Sequence, residues 1–431
     1  MRKIDKPRYR SLDRRSVLKA AAATAAVAAG TSAGITGFPS YLKAANTPIR
    51  IAVPTIMSGR VAILGRSSIA GMMIPVQEIN EQGGIDGRMI EVVSRDSRGR
   101  PDEAARMTRD LVNNEGCEIV LNAEASGASF AINETVRDIR RFCIHSVSET
   151  SSLTADPKNQ IPWVFRAARQ GIHDAVGGGL YAAEVSKQKG LKRWATCSPD
   201  YAYGRDNTAE FMEYARLFAD DIEVTTQTWP KLFQPDYTEN ITALLNTQPD
   251  AVYSCLWGGD LVAFFDQASL YGLFDQFEAF AVNLSDYPVI SAIQNLPEGI
   301  HGGSRYHKDI PDTEANEAWY SAYMAASNVL PTNWAWQADT AMRFIIEALK
   351  ETGGDTDAEK LAAATVGRTI DSPFGVDGTL TLRDSDNTLV NYVVGYGLTV
   401  SQDPFMASFT QTQWDSIFEH EAEWKQRNGY I

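Results

Sequence analysis

The sequence predicts an α/β protein built from two doubly wound, Rossmann-like lobes. Its 431 residues exceed what a single hydrophobic core normally organises. From Ile49 onward, short apolar runs alternate with amphipathic stretches, as in parallel sheets that are covered by helices on both faces. This alternation runs to Ser148 and starts again at His173, so two units of similar size are expected.

The first unit follows the order strand, helix, strand. Strands are predicted in IRIAVPTI, MIEVVSRDS, CEIVLNA and FCIHSVS, and helices in SSIAGMMIPVQEINEQGG, RPDEAARMTRDLVNNEG and SFAINETVRDIRR. In the first helix, Ser67 or Ser68 is the expected N-cap and Gly83-Gly84 the stop, with Pro75 inside the helix.

The second unit repeats this order. Helices are predicted in HDAVGGGLYAAEVSKQKG, GRDNTAEFMEYARLFADD, YTENITALLNTQ and GDLVAFFDQASLYG, and strands in KRWATCSPD, IEVTTQTWP, DAVYSCLWG and EAFAVNL. The last third is less regular. WQADTAMRFIIEALKETGG predicts a helix, and SPFGVDGTLTLRDSDNTLVNYVVGYGLTV predicts a β-ribbon with turns at Asp377-Gly378 and Asp384–Asn387.

The N-terminus, residues 1–45, has the pattern of an export signal. Arg14-Arg15 precede a weakly apolar, alanine-rich stretch, and small residues follow at Ala44-Ala45. The paired arginines favour a twin-arginine signal over the general secretory route, and a basic amphipathic helix is the other alternative. We expect a periplasmic protein from which this segment has been removed.

The net charge of the chain and the positions of its cysteines exclude several classes of partner and predict the state of the thiols. Residues 1–45 contain nine of the 40 lysines and arginines and two of the 54 acidic residues, so the remainder has a formal net charge of −21. Such an acidic body argues against nucleic acid and anionic membrane surfaces as partners. No apolar run after the signal approaches the length of a membrane span. The four cysteines lie in apolar, strand-like runs, which predicts buried free thiols.

Seven short motifs in order resemble the type I periplasmic solute-binding proteins of ABC importers, in the leucine/isoleucine/valine- and amide-binding branch. They are Ser58-Gly59, EIN-x-x-GGI-x-G, Asp96, SGA at 126–128, SLT at 152–154, DYAYG at 200–204, and PDAVYSCLWGGD with a downstream QA-x-x-x-G. The resemblance spans most of residues 49–300.

The resemblance implies two lobes that are joined by three crossovers and close on a ligand like a hinge. The crossovers are expected near residues 166–170, 301–306 and 372–376. Lobe 1 is then residues 46–166 plus 305–372, and lobe 2 is residues 167–304 plus 373–431. The implied partners are a small-molecule solute and the permease subunits of an importer in the inner membrane, and we expect a monomer.

Ligands of open α/β sheets bind where strands end and helices begin. Ser58, Ser126-Gly127, Ser148, Tyr203 and Trp257 all follow predicted strands. Ser126 offers a hydroxyl at a helix N-terminus, which favours anions, and the resemblance implies that it holds a ligand carboxylate. A plain N-cap serine is one alternative. A nucleophile is another, but Ser126 lacks a G-x-S-x-G elbow and the histidines show no pairing pattern.

The remaining candidates come from the resemblance. Tyr203 and Trp257 match positions where the second lobe presents an aromatic side chain to the ligand. Glu149 stands where a small hydroxyl residue is usual, so either its carboxylate turns outward or the ligand carries a cationic or amide group. Asn283, Ser285 and Asp286 compete as the anchor for a ligand ammonium, and Asn283 is included in the predicted site.

The sequence thus predicts an exported substrate-binding component of an ABC importer that captures a small amino-acid-, amide- or carboxylate-type solute. Spacings for a metal site, a P-loop and a dinucleotide fingerprint are absent, so no metal, cofactor or catalytic residue is predicted. Two alternatives remain open. One is a ligand-sensing subunit of a receptor or regulator with the same fold, and the other is an exported serine amidase or hydrolase that uses Ser126.

Overall fold

The computed structural model describes residues 47–431 of the chain. The predicted signal segment therefore lies outside the described residues. Within the described part, no helix combines the length and the apolar character needed to cross a membrane. The four cysteines are free and buried, as the sequence predicted.

The first lobe is built on a five-stranded parallel sheet in the order β2-β1-β3-β4-β5. Its strands are β1 Ile49–Thr55, β2 Ile90–Asp96, β3 Ile119–Asn122, β4 Cys143–His145 and β5 Val164–Arg166. The helices between them are α1 Ile63–Glu81, α2 Pro101–Asn113, α3 Ser126–Ile139 and the short α4 Ser152–Ala155. Because strand order reverses between β1 and β3, a crevice opens there at the carboxyl ends of the strands.

The second lobe is built on a seven-stranded sheet in the order β15-β14-β10-β9-β8-β6-β7. Strands β6 to β10 are parallel and the last two are antiparallel. The strands are β6 Arg193–Cys197, β7 Glu223–Thr228, β8 Ala251–Ser254, β9 Glu278–Ala281, β10 His301–Gly303, β14 Gly395–Thr399 and β15 Met406–Gln411. The helices are α5 Gly171–Lys189, α6 Ala202–Phe218, α7 Thr238–Thr247, α8 Gly258–Leu270 and α9 Tyr287–Ile290.

The last third of the chain packs onto both lobes. Its helices are α10 Glu314–Ala326, α11 Asn333–Glu351, α12 Ala358–Thr365 and α13 Trp414–Arg427, and β11 Thr369–Asp371, β12 Thr379–Leu382 and β13 Leu389–Val390 form a small antiparallel sheet. Helix α11 packs tightly on α1. A Cβ atom on Gly71 of α1 would lie 2.0 Å from the carbonyl oxygen of Ala335, so only glycine permits this approach.

Most predicted elements of residues 49–300 are present, and the two-lobed α/β prediction is confirmed. Helix α1, however, begins at Ile63, so the prediction that Ser67 or Ser68 is its N-cap was wrong. Both serines are buried inside the helix, and the Ser67 hydroxyl lies 2.6 Å from that of Thr332. The exact lobe boundaries stay a prediction.

The predicted ribbon is divided between two sheets. Its first part forms the β12–β13 hairpin, whereas β14 joins the second lobe and pairs with β10. Helices α10, α12 and α13 were not predicted. Helices α10 and α13 pack on α1 and α5, which are distant in sequence, whereas the short α12 packs on α11 just before it.

Candidate functional site

A narrow cavity, with free space of about 20 Å³, lies between the two lobes. It is lined by Leu64, Ala125, Ser126, Val147 and Glu149 from the first lobe, by Tyr201, Tyr203, Trp257 and Asn283 from the second, and by Trp334 of α11. These residues follow the carboxyl ends of strands or occupy first turns, so five helices (α1, α3, α6, α8 and α11) begin at the cavity.

Ser126 is the first residue of α3, and its backbone N–H belongs to the helix terminus that lacks intrahelical partners. Ala125, at the N-cap, provides no side-chain cap. The Ser148 hydroxyl donates a hydrogen bond of 3.2 Å to the Ser126 hydroxyl. This bond holds the Ser126 hydroxyl in place from the side away from the cavity. This end of the cavity is therefore suited to an anion.

Four aromatic side chains form the opposite wall. The indole Nε1 of Trp257 donates to the Tyr201 hydroxyl at 2.9 Å, and the rings of Tyr201 and Tyr203 lie 6.0 Å apart. Trp257 also meets Trp334 edge to face, with ring centroids 5.4 Å apart. Such rings are stiff, and they offer flat apolar contact area at low entropic cost.

Asn283 anchors one of these aromatic residues. Its Nδ2 donates to the Tyr203 hydroxyl at 2.9 Å and to the carbonyl oxygens of Cys255 and Leu256 at 3.0 and 3.1 Å. The Tyr203 hydroxyl also accepts from Arg305 Nη2 at 3.3 Å. Asn283 thus fixes the wall of the cavity as well as lining it.

Glu149 turns inward, and only 5% of its surface is exposed. Its Oε2 lies 2.8 Å from Arg305 Nη1 in an ion pair, and its Oε1 accepts from Asn333 Nδ2 at 2.9 Å. Of the two alternatives that the sequence left open for Glu149, the outward-facing carboxylate is therefore wrong. A buried arginine of this chain, rather than a ligand cation, balances the charge of Glu149.

Arg305 belongs to a buried charge network. Its Nη1 also lies 2.9 Å from Asp174, which in turn is bonded to Arg169. Although burial opposes the effect, Arg169 and Arg305 hold the pKa of Asp174 below its usual range. Burial raises the pKa of Glu149 while Arg305 opposes that rise. Burial also raises the pKa of nearby Asp286 to about 7, against the opposing hydrogen bond from the backbone N–H of Asn333.

Contacts outside the cavity also join the lobes. Arg60 in the loop after β1 pairs with Asp260 of α8 at 3.5 Å. The Ser151 hydroxyl donates to Glu210 of α6 at 2.9 Å. Gly259 of α8 approaches the Arg60 backbone so closely that an added Cβ atom would lie 2.6 Å from its carbonyl oxygen. The structure is therefore a closed arrangement of the two lobes.

Of the predicted site residues, Ser126, Glu149, Tyr203, Trp257 and Asn283 all line the cavity. Three others do not. Ser148 is buried behind Ser126, Gly127 faces Pro101 of α2 in the first turn of α3, and Ser58 is exposed beside Asp96.

The sequence analysis missed Leu64, Ala125, Val147, Tyr201 and Trp334, as well as Arg305 and Asn333 behind the wall. Tyr201 stands in the DYAYG motif itself, two residues before Tyr203, and could have been found there. Asn333 and Trp334 lie just before the predicted helix WQADTAMRFIIEALKETGG and follow no strand, so the strand-end rule does not select them.

This geometry defines a two-lobed α/β protein with a small cavity between its lobes. The chain belongs to the periplasmic binding protein family, whose model matches residues 48–399. It is similar to "Leu/Ile/Val-binding protein homolog 4" of Brucella abortus, with 23% identity over 372 residues that cover 83% of this chain and 84% of the relative. It is also similar to the "Leucine-, isoleucine-, valine-, threonine-, and alanine-binding protein" of Pseudomonas aeruginosa, with 23% identity over 345 residues that cover 79% and 88%.

Solved structures with the same fold include solute-binding proteins of ABC transporters. One from Rhodopseudomonas palustris BisB5, in complex with 3,4-dihydroxybenzoic acid, has a TM-score of 0.74 and 21% identity over 85% of this chain and 96% of its own. Another from R. palustris, in complex with benzoate, has a TM-score of 0.74 and 22% identity over 84% and 96%. A third, in complex with 4-hydroxybenzoate, has a TM-score of 0.75 and 21% identity over 85% and 97%.

Proposed function

We propose that this chain is the exported substrate-binding component of an ABC importer, and that its solute is a small monocarboxylate with a flat, aromatic body. The observation that carries this proposal is the pairing of two walls in one cavity. Ser126 at the start of α3 faces the space that Trp257, Tyr201 and Tyr203 close from the second lobe.

The carboxylate belongs at the α3 terminus. Free backbone N–H groups and the positive end of the helix dipole favour a negative group there, and the Ser126 hydroxyl adds a donor. A hydrogen bond to a charged group contributes about 1.5–3 kcal/mol, more than one between neutral partners. This end therefore selects for the charge of the solute.

The aromatic body is favoured over an α-amino acid. An α-ammonium group needs a carboxylate that is free to receive it, and among the described residues Glu149 is the only acid that lines the cavity. Both of its oxygens already face Arg305 and Asn333. The aromatic acids bound by structural neighbours support this class, whereas the names of the curated relatives favour branched-chain amino acids as the second candidate.

Export and delivery complete the proposal. The segment at residues 1–45 acts as a twin-arginine signal and is removed, and the acidic protein works in the periplasm as a monomer. Closure of the lobes then presents a continuous surface of both lobes to the permease subunits. Ser126 binds rather than attacks, because its hydroxyl is engaged by Ser148 and no histidine is among the residues that line the cavity.

A ligand panel tests the proposed function. We expect benzoate and hydroxybenzoates to raise the melting temperature of the protein (residues 46–431), since a ligand that binds only the folded state stabilises it. Benzamide, which has the same ring without the charge, should have little effect. If leucine, isoleucine or valine stabilised the protein and no aromatic acid did, the solute would be a branched-chain amino acid, the second candidate. A response to none of these solutes would contradict the proposal.

A further inference from the structure

Behind the cavity wall lies a group of four buried charges that sum to zero, hereafter the charge cluster. It consists of Glu149, Arg305, Asp174 and Arg169, each at most 5% exposed. Arg305 contacts both acids, at 2.8 and 2.9 Å, and Arg169 is bonded to Asp174 and to the carbonyl oxygen of Val393. Only Glu149 of these four lines the cavity.

We propose that Glu149 is a specificity-determining residue that limits the solute to a single negative charge. This inference rests on the proposed function, because it concerns a second polar group on a solute whose first carboxylate lies at Ser126. Glu149 neutralises Arg305 from within the chain, so a solute anion gains nothing from the arginine and meets a carboxylate instead.

The contacts of Glu149 explain this selection. A second solute carboxylate would be desolvated beside a buried, negatively charged side chain, and like-charge juxtaposition of this kind costs several kcal/mol. A cationic group would have to displace Arg305 from one oxygen or Asn333 from the other. A neutral polar substituent meets neither obstacle. The cavity therefore admits a carbonyl, amide or hydroxyl group more readily than a second charge.

Asp286 is a third acid that acts on Arg305, besides Glu149 and Asp174. It lies on the second-lobe side, accepts the backbone N–H of Asn333 at 2.7 Å and is 2% exposed. With a pKa of about 7, Asp286 is already partly ionised at pH 7, and loss of the Glu149 charge would increase its ionised fraction and so replace that charge in part. A decisive test therefore includes a variant in which both acids are neutral.

The test compares two solutes of nearly the same shape. 4-Carbamoylbenzoate carries one negative charge and terephthalate carries two. Any change in lobe closure affects both solutes alike, so the ratio of their dissociation constants reports only the effect of the second charge. Titration calorimetry at pH 7 should show that the wild-type protein prefers 4-carbamoylbenzoate by at least about tenfold. Glu149→Gln should shift this ratio at least about tenfold toward terephthalate, and Glu149→Gln with Asp286→Asn should shift it further.

Glu317→Gln is the matched control, because Glu317 is an exposed acid on α10 and the substitution removes the same charge. Its ratio should equal that of the wild type. A cooperative thermal unfolding transition, followed by circular dichroism without solute, shows that each variant is folded, and if Glu149→Gln does not fold, the wild-type preference alone decides the test. If the cavity is too narrow for these benzoates, the same ratio is measured with fumaramate, which carries one charge, and fumarate, which carries two.

The proposal is overturned if the wild type binds terephthalate as well as 4-carbamoylbenzoate, or if the variants keep the wild-type ratio. Failure of all forms to bind either solute pair also counts against it. These results are distinct from failure of the proposed function, which would appear as an absence of benzoate binding by the wild-type protein.

Discussion

The indole rings of Trp257 and Trp334 meet edge to face between the lobes, with centroids 5.4 Å apart and planes inclined by 76°. Trp257 comes from the second lobe at the start of α8, whereas Trp334 opens α11, which packs on α1 of the first lobe. The contact therefore exists only when the lobes are closed. Because both rings line the cavity, solute binding and closure act on the same pair.

Truncation of Trp257 should weaken solute binding. Trp257→Ala removes one aromatic wall and the hydrogen bond to Tyr201, and we expect the dissociation constant for benzoate to rise about 10- to 100-fold, as for the loss of a buried aromatic contact. Trp257→Phe keeps a ring and should lose much less. Titration calorimetry measures the dissociation constants of both variants. If Trp257→Ala bound benzoate as tightly as the wild type, Trp257 would not be part of the binding site.

Loss of the Ser126 hydroxyl should affect charged solutes selectively. Ser126→Ala removes one donor to the carboxylate, which at about 1.5–3 kcal/mol corresponds to a rise in the dissociation constant of about 10- to 150-fold. Whatever weak affinity benzamide has should change little, because it lacks the charge. An equal loss for both solutes would show that Ser126 only supports the fold of the α3 terminus.

Gly259 should be required for closure but not for folding. A Cβ atom at this position would lie 2.6 Å from the Arg60 carbonyl oxygen of the opposite lobe. We expect Gly259→Ala to bind benzoate at least about tenfold more weakly, with little change in the melting temperature without solute. Gly127→Ala is the matched control, since its Cβ would meet only Pro101 Cγ at 3.9 Å.

Small-angle scattering separates closure from direct contact for these glycine variants. Wild type and Gly127→Ala should become more compact when benzoate is added, whereas Gly259→Ala should stay extended. Full compaction of Gly259→Ala would contradict the role assigned to this position.

Glu124 should make stability depend on pH. Burial raises its pKa to about 8 from an ordinary value of 4.5, against the opposing effect of Ser97, while nearby Asp96 adds to the rise. Among the described residues, neither of its oxygens has a well-aligned hydrogen-bond partner. The folded state therefore holds a proton that the unfolded state releases above pH 4.5, so stability falls as pH rises from about 4.5 to 8.

Glu124→Gln removes this titration. The free energy of unfolding of the wild type, measured relative to the variant, should fall by up to about 1.4 kcal/mol per pH unit within that window and level off above it. Urea denaturation of both proteins at pH 5, 6, 7 and 8 measures the difference. Parallel curves would show that Glu124 is not protonated in the folded protein.

Much of the fold could be predicted because its signals are local. The central strands of both sheets are short apolar runs, and Ser126, Tyr203 and Trp257 each lie within six residues after one of them. Their convergence follows from sheet topology, since carboxyl ends of parallel strands share one edge. Even α11, in the last third of the chain, is predicted by the periodicity of its sequence.

Other parts depend on packing between distant segments. Arg305 pairs with Glu149 across 156 positions of the chain, and no local pattern marks either residue as a partner of the other. Trp334 reaches the cavity because Gly71 lets α11 approach α1. Helix α1 begins before Ser67 because that serine is bonded to Thr332 in the interior rather than exposed at a cap.

The central claim is that a monocarboxylate is held between Ser126 of one lobe and Trp257 of the other. The most direct measurement is a crystal structure of the protein with the tightest-binding solute of the benzoate panel. We predict that the solute carboxylate lies within hydrogen-bond distance of the Ser126 hydroxyl and the first N–H groups of α3, with its ring against Trp257 and Tyr203. A carboxylate placed on Arg305, or a solute bound outside the cavity between the lobes, would contradict the account.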